Sequence, residues 1–430
     1  MIQNNLVNIT NQNVVYDFVA QRIGSYLPKE FQKIYNASEH VRIIACDSYF
    51  LHYSLYPFLR SKNDDEILEE VRKFFADYMS DKRFQRIRML TTLDDEMSLV
   101  YSIALAKSII GRIIGKIIKD GESKLSLAVA TAIRGMANSG ELSVILENAS
   151  KEAGEITKNA NEVRELIGGK EAGKEAGTFK KVLDLAEHMF YVKFMRDIVT
   201  MSKRLSSYVP KASHIFKRRG RYGDEISGYG LTKLIERALV RELALPDELF
   251  LIKFAGEGFL TREKLNVAEG AYYILIDKSG SMAGEKTIWA RSVAMAIYRM
   301  AKIKKRKYFL RFFDTRTYPN EPLQNSEEVV DAILKVQSNG GTDITNALKT
   351  ALRDLTERGF SDFTNTIVII TDGEDVVENL SKDLRRANAS LVSVMIQGDN
   401  DTLKAISSQY MKAELTEEGG AKLLKLVEIT

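Results

Sequence analysis

The chain has 430 residues, of which 45% are hydrophobic and 28% are charged, and its net charge is +4. This composition is ordinary for a globular chain, and the length exceeds that of one typical domain, so two domains are predicted. The single cysteine, Cys46, excludes a disulfide framework and a cysteine-rich zinc module. We find neither an uncharged apolar stretch of about eighteen residues nor a secretory signal pattern, so a cytoplasmic location is expected.

Residues 1–202 are predicted to form an all-helical domain, because apolar residues recur at spacings of three and four. Ile103, Ala106 and Ile110 lie in one such row, and Lys107 lies off it. The same periodicity runs through EILEEVRKFFADYM, LSLAVATAIRGM and FKKVLDLAEHMFYVKFM. The isoleucine-rich helix also resembles a membrane-surface helix in composition, but a buried core helix is commoner and is the preferred interpretation.

A segment rich in Gly, Lys and Glu, at about residues 151–178, interrupts this helical pattern. The tetrapeptide KEAG occurs in it at 151–154, 170–173 and 174–177. Charged, glycine-containing, repetitive sequence is typical of linkers, so the segment is predicted to be a flexible connection or a frayed helix.

Residues 203–264 are predicted to be a basic crossing followed by a helical junction. From 203 to 221 the sequence holds seven Lys or Arg and no carboxylate. Its densest part is a candidate contact patch for nucleic-acid phosphates: Lys217, Arg218, Arg219 and Arg221. A solvated basic linker is the simpler interpretation of the same residues.

The pattern changes at about residue 265, where short apolar runs rich in Ile, Val, Tyr and Phe alternate with helical segments. The runs are AYYILI, YFLRFF, NTIVIIT and ASLVSVMI. Such alternation indicates crossover units and a mostly parallel sheet with helices on both faces. Residues 265–430 are therefore predicted to form a doubly wound, Rossmann-like α/β domain, and the chain as a whole belongs to the α + α/β class.

Three polar, glycine-containing clusters lie at the ends of these predicted strands or before a helix. They are Asp277-Lys278-Ser279-Gly280-Ser281, Gly340-Gly341-Thr342-Asp343 and Thr371-Asp372-Gly373-Glu374-Asp375. Ligands of open α/β sheets bind beyond the carboxyl ends of the strands, so we expect the clusters to meet. Hydroxyl oxygens with only one or two carboxylates suit Mg²⁺, and the glycines let three loops approach one point. The clusters predict a magnesium site with a position open for an outside oxygen, such as that of a partner's Asp or Glu.

The order D-x-S-x-S, G-G-T and T-D-G resembles the metal-ion-dependent adhesion site of von Willebrand factor A (VWA) domains, over about residues 265–430. The resemblance implies these metal ligands: Asp277, Ser279, Ser281, Thr342 and Asp372. It implies these supporting residues: Gly280, Gly341, Asp343, Gly373 and Asp375. Mg²⁺ is the expected cofactor, with Mn²⁺ and Ca²⁺ as alternatives.

The preceding segment LTKLIERALVRELALPDELFLIKFAGEGFL, followed by DKSGSM, is similar to the junction in ViaA-like and CoxE-like proteins. Those cytosolic proteins pair a helical N-terminal region with a C-terminal VWA domain and are thought to act with MoxR-type AAA+ ATPases. The resemblance implies a non-enzymatic, Mg²⁺-dependent adaptor or cofactor for such an ATPase, in protein remodelling or metal-centre maturation.

Two other functions fit the sequence less well. A helical domain joined to a VWA domain also occurs in Ro-type RNA-binding proteins, so RNA binding through the basic patch is the alternative. A magnesium-dependent phosphatase with Asp277 as nucleophile is less favoured, because Ser279 stands where a second acid is expected. The four histidines all lie before residue 215, away from both aspartate loops, and no catalytic residue is predicted.

Overall fold

The computed structural model describes residues 6–7, 12–120, 125–168, 176–209, 218–220, 225–233, 235, 238–266, 269–373 and 375–429. The chain divides into two compact units, Met1–Asp197 and Ile198–Thr430.

The first unit is helical, as predicted. Its helices are α1 (Gln12–Ser25), α2 (Lys29–Ala37), α3 (Glu39–Tyr53), α4 (Glu66–Met79), α5 (Lys82–Thr91), α6 (Asp95–Asp120), α7 (Leu125–Asn138), α8 (Glu141–Ile167) and α9 (Ala176–Tyr191), while α10 (Lys193–Ser206) continues into the second unit. Within the part of this unit that is described, an isolated antiparallel bridge joins Val7 to Leu59.

The isoleucine-rich segment forms the middle of α6, which packs against α3 and α8. Ile103, Ala106 and Ile110 are fully buried, so the apolar row faces the core of the unit. The stretch Asp95–Gly115 is long and apolar enough to span a membrane by composition, but 72% of its most apolar window is buried inside the unit. This burial is typical of a core helix, which was the preferred interpretation of the sequence.

The segment 151–178 differs from its prediction, because it is regular helix as far as the end of α8. The buried face of α8 includes Ala153, Gly154, Ile156, Thr157, Ala160, Val163, Leu166 and Ile167, which recur at helical spacing. A Cβ on Gly154 would lie 3.3 Å from Cδ1 of Ile87, so the small residue lets α5 approach α8. The expectation of a flexible connection was wrong here; residues 169–175, with most of the two later KEAG copies, lie outside the described residues.

The second unit contains both helices and strands. Its helices after α10 are α11 (Val240–Leu243), α12 (Asp247–Ala255), α13 (Glu285–Ile303), α14 (Ser326–Lys335), α15 (Ile344–Glu357), α16 (Ser381–Arg386), α17 (Asp401–Ile406) and α18 (Glu417–Ile429). Its strands are β1 (Arg218–Gly220), β2 (Glu225–Thr232), β3 (Phe259–Asn266), β4 (Glu269–Asp277), β5 (Tyr308–Phe313), β6 (Thr317–Leu323), β7 (Thr364–Thr371), β8 (Ala389–Met395) and β9 (Gln409–Lys412).

Six of these strands form one mixed, mostly parallel sheet in the order β6-β5-β4-β7-β8-β9. Only β6 is antiparallel to its neighbour, so the predicted α/β architecture is confirmed. The four predicted apolar runs form β5 and most of β4, β7 and β8. They occupy adjacent central positions, where both faces of a strand are buried.

Alternate side chains of the central strands point to opposite faces of the sheet. Phe309 and Phe313 pack with α15, α16 and α17 in one buried cluster. On the other face, the Tyr308 hydroxyl donates to the carbonyl of Ala294 in α13 at 3.1 Å, and Phe312 lies beneath the Arg291 guanidinium. Both faces of the sheet are therefore covered by helices, and the carboxyl ends of its parallel strands continue into loops.

The segment 203–264, predicted as a basic crossing and helical junction, contains a second sheet. β1, β3 and β2 form a three-stranded antiparallel sheet in that order, and the short helices α11 and α12 lie between β2 and β3. The register of β2 against β3 shifts between Ile226 and Gly228, which marks a bulge or other irregularity. The sequence of this segment lacks the long apolar alternation from which strands are predicted, so pairing between distant residues decides its structure.

Candidate metal centre

The polar clusters 277–281 and 371–375 lie side by side because β4 and β7 are adjacent and parallel. Ile276 pairs with Ile370, so Asp277 and Thr371 follow at the same level of the sheet. From β4 the chain continues to one side of the sheet through β5, and it later returns on the other side through β7. Such a reversal of strand order opens a crevice at the strand ends, where ligands of α/β sheets bind.

Asp277 is held by hydrogen bonds from two neighbours. The Ser279 backbone N–H donates to Oδ1 at 2.8 Å, and the Thr371 hydroxyl donates to Oδ2. Burial raises the pKa of Asp277, and the charge of Asp372 adds to that effect, while the hydrogen bonds from Thr371 and Ser279 lower it. No cation pairs with Asp277 among the described residues, so this buried carboxyl group lacks the partner that a buried charge needs.

Ser279, Ser281 and Asp372 form a continuous hydrogen-bonded chain across the two loops. The Ser279 and Ser281 hydroxyl oxygens are 3.1 Å apart, and the Ser281 hydroxyl donates to Asp372 Oδ1 at 2.8 Å. Asp372 Oδ2 accepts from Nζ of Lys286, in the first turn of α13, at 2.7 Å. Four oxygen-bearing side chains of the predicted set are thus brought together.

The loop that carries Thr342 lies against the loops that follow β4 and β7. The Gly280 N–H donates to the Gly340 carbonyl at 3.1 Å. A Cβ on Gly373 would lie 2.7 Å from Cγ2 of Thr342, so the Thr342 side chain lies directly against the loop after β7. The cluster 340–343 therefore lies against the clusters 277–281 and 371–375, as expected for loops at the strand ends.

Asp314, at the end of β5, is a residue of this region that the sequence analysis missed. Its Oδ2 pairs with Lys278 Nζ at 2.6 Å, and its carbonyl accepts from the Asp343 N–H at 2.8 Å. A Cβ on Gly340 would lie 2.9 Å from Asp314 Oδ2, so a side chain at position 340 would force Asp314 to shift. The rule that strand ends line the site applies to YFLRFF as well, and it points to Asp314 directly after that run.

The two further aspartates of the clusters lie at the N-terminus of α15. Asp343 caps this helix by accepting from the Asn346 N–H at 2.8 Å, and Asp375 Oδ2 accepts from the Ile344 N–H at 3.3 Å. Gly341 lies beside Thr315, with 3.2 Å between a Cβ built on it and Cγ2 of the threonine. These contacts give Asp343 and Asp375 a role in holding the start of α15, where carboxylates are favoured.

The side chains that converge here fit a hard divalent cation. Mg²⁺ takes oxygen ligands, keeps several waters and is usually held by one or two carboxylates, which is the composition of this set. In the residues that the structure describes, no group of three or more His, Cys, Asp or Glu side chains that could hold a metal ion is found. The donors of the predicted set are hydroxyl and carboxylate oxygens, which suit Mg²⁺ or Mn²⁺ better than a metal that prefers thiolate or imidazole ligands.

The basic patch can be placed only in part. Arg218 and Arg219 form most of β1, which pairs with β3, while Lys217 and Arg221 lie outside the described residues. The patch stays a prediction.

Comparisons with known proteins give a family for part of the chain. Residues 272–374 match the von Willebrand factor type A domain. The chain is 30% identical over 312 residues to the uncharacterized protein MJ0811 of Methanocaldococcus jannaschii, which covers 64% of this chain and 69% of that protein. It is 24% identical over 249 residues to the VWFA domain-containing protein ORF892 of Acidianus two-tailed virus, covering 53% of this chain and 26% of the viral protein.

Among solved structures, a von Willebrand factor type A protein from Catenulispora acidiphila matches 39% of this chain and 43% of that chain, with 22% identity and a TM-score of 0.29. The match to the Methanocaldococcus protein covers more of the chain than the second unit contains, so it extends into the helical residues.

Proposed function

Because this chain belongs to the same family as MJ0811 of Methanocaldococcus jannaschii and contains a von Willebrand factor type A domain, we propose that it is a non-enzymatic adaptor that binds a partner through Mg²⁺. The residues that would hold the ion are Asp277, Ser279, Ser281, Thr342 and Asp372. When bound, the ion supplies a Lewis-acid position for a carboxylate oxygen of the partner. The observation that carries this proposal is the hydrogen-bonded chain Ser279–Ser281–Asp372 beside the buried carboxyl group of Asp277.

Local contacts support binding rather than catalysis. The residue two positions after Asp277 is Ser279, whose hydroxyl is engaged with Ser281 rather than being an acid that could protonate a leaving group. Asp277 accepts a hydrogen bond on each carboxylate oxygen, and these two bonds fix the position of the carboxyl group. The hydrogen bonds between Ser279, Ser281 and Asp372 keep their oxygens close together, which is what a metal site requires.

The proposed partner is a MoxR-type AAA+ ATPase that presents an Asp or Glu to the metal, in the cytoplasm. The support for this partner is the organisation of the chain, a helical unit followed by a VWA unit, together with the junction that resembles ViaA-like and CoxE-like proteins. The adaptor would serve protein remodelling or metal-centre maturation, and ATP hydrolysis would belong to the partner.

The first test measures the metal directly. We expect isothermal titration calorimetry to detect Mg²⁺ binding to the chain, and we expect Asp277→Ala to remove it, because the variant loses one of only two carboxylates in the set. Asp331→Ala is the matched control, since Asp331 pairs with Lys335 on the surface of α14. Equal Mg²⁺ affinity in Asp277→Ala and the control would contradict the assigned site.

The second test asks whether the metal mediates partner binding. The immobilised chain is exposed to lysate of its source in Mg²⁺ or in EDTA, with nuclease treatment, and bound proteins are identified by mass spectrometry. An AAA+ ATPase that the wild type retains only in Mg²⁺, and that Asp277→Ala does not retain, is the expected result. Retention that is independent of both chelator and variant would refute metal bridging, and RNA retained in EDTA would favour the RNA-binding alternative.

A further inference from the structure

Lys286 lies beside the candidate cation site, where its ammonium group pairs with Asp372, one of the two predicted carboxylate ligands. Nζ lies 2.7 Å from Asp372 Oδ2, and the two side chains are 20% and 4% exposed. The other oxygen of Asp372 accepts from Ser281. A divalent cation that approaches Asp372 therefore meets a positive charge of the protein at the same carboxylate.

The charges around the site determine what the loaded centre can attract. Asp277 and Asp372 bring two negative charges and Lys286 one positive charge, while Lys278 and Asp314 form a separate neutral pair. Counting only the predicted ligands and the lysine that pairs with them, the metal-free set is negative by one charge, and a divalent ion makes it positive by one. A single external carboxylate would then restore neutrality, which favours its transfer into this partly buried crevice.

We propose that Lys286 is a specificity-determining residue, which weakens metal binding at this site and in exchange makes the loaded site attract one anionic group. This inference rests on the proposed function and adds to it the residue that selects an acidic partner side chain. Removing the ammonium should have two opposite effects: tighter binding of Mg²⁺ alone, and loss of attraction for a carboxylate by the loaded site.

The first effect is measured with Mg²⁺ alone by isothermal titration calorimetry. Lys286→Met should bind Mg²⁺ about tenfold more tightly than the wild type, because one unit of like charge is removed from beside a carboxylate that would hold the ion. Lys335→Met is the matched control, because it removes a surface lysine that pairs with Asp331 in the same unit. Melting in EDTA verifies that each variant is folded.

The second effect is measured with acetate as a minimal carboxylate. Binding linkage requires that an anion which binds only the loaded site also raises the apparent Mg²⁺ affinity. The wild type should bind Mg²⁺ more tightly in acetate than in chloride at equal ionic strength, after correction for acetate complexation of the free ion. Lys286→Met should lose this difference, and Lys286→Arg, which keeps the charge, should retain it.

The outcomes separate this inference from the proposed function. If the wild type binds no Mg²⁺, the proposed function fails. If the wild type binds Mg²⁺ but Lys286→Met binds it equally or less tightly, or keeps the acetate effect, the role assigned to Lys286 is refuted while the metal site stands. A variant that is unfolded in EDTA is replaced by Lys286→Gln, to which the same two criteria apply.

Discussion

Two buried titratable side chains on α3 illustrate how single residues set the pH response of the helical unit. Asp47 is fully buried and accepts from the Leu6 N–H at 2.6 Å and from the Tyr16 hydroxyl at 3.1 Å. Burial raises the pKa of Asp47 to about 7, although these hydrogen bonds act to lower it. The folded unit therefore retains a proton on Asp47 at pH values where the unfolded chain has lost it.

The pKa of His52, about one and a half turns further along α3, is shifted in the opposite direction. It is fully buried, its Nδ1–H donates to the Ser48 carbonyl at 2.8 Å, and its ring packs against Tyr101. Burial lowers the pKa of His52 to about 3. The unfolded chain therefore binds a proton at His52 at pH values where the folded unit does not.

These two shifts predict compensating effects on stability. Between pH 3.8 and 6.5, Asp47 lowers the free energy of unfolding as the pH rises and His52 raises it, each by up to about 1.4 kcal/mol per pH unit. Between pH 4 and 6.5, the free energy of opening α3 should therefore rise more steeply with pH in Asp47→Asn than in the wild type. In His52→Gln it should rise less steeply, or fall. Native-state hydrogen exchange of the α3 amides measures both, and identical pH slopes in the two variants would contradict the assignment.

At the scale of elements, the candidate centre depends on how closely its loops approach. The loop between α14 and α15 is tied to the end of β5 through Asp314 and to the end of β4 through the carbonyl of Gly340. Gly340 has φ +104°, a conformation that side-chain-bearing residues rarely adopt. These contacts, and not the helix α15 that follows, therefore set the position of Thr342.

Gly373→Ala should test this dependence. The added Cβ would lie 2.7 Å from Cγ2 of Thr342, so the threonine must move, and we expect Mg²⁺ affinity to fall about tenfold. Gly280→Ala should have a smaller effect, because the nearest atom to its added Cβ is 4.0 Å away. Calorimetric titration of both variants measures the difference, and equal affinities would show that the loop relaxes freely around Gly373.

Elements also differed in how well their sequence predicted them. In the six-stranded sheet, β5 and the apolar parts of β4, β7 and β8 were predicted because buried parallel strands are continuous apolar runs, whereas β6 and β9 were missed. Both missed strands lie at the sheet edges and are mostly exposed or half-buried, and β6 contains Pro319, which edge strands tolerate. In α8 the glycines and charges indicated a linker, although the buried small residues were at helical spacing.

At the scale of the whole molecule, the metal should affect the loops much more than the fold. The stability of the second unit comes from its buried sheet and the helices on both faces, whereas the candidate ligands lie in loops at the strand ends. We expect Mg²⁺ to slow hydrogen exchange in the segments 277–282, 338–343 and 371–373 and to leave the central strands unchanged. Protection spread over β5, β7 and β8 would show that the ion is part of the folding core.

The sequence by itself determined the α + α/β class and the members of the candidate metal set, because both depend on local patterns: apolar periodicity, glycine-containing turns, and hydroxyl and carboxylate side chains at predicted strand ends. Only the tertiary structure decided which charges lie beside that set. Lys286 meets Asp372 across 86 positions of the chain, and Lys278 meets Asp314 across an intervening helix. Such pairs leave no local periodic signal, because they exist only once parallel strands bring their ends to one edge of the sheet.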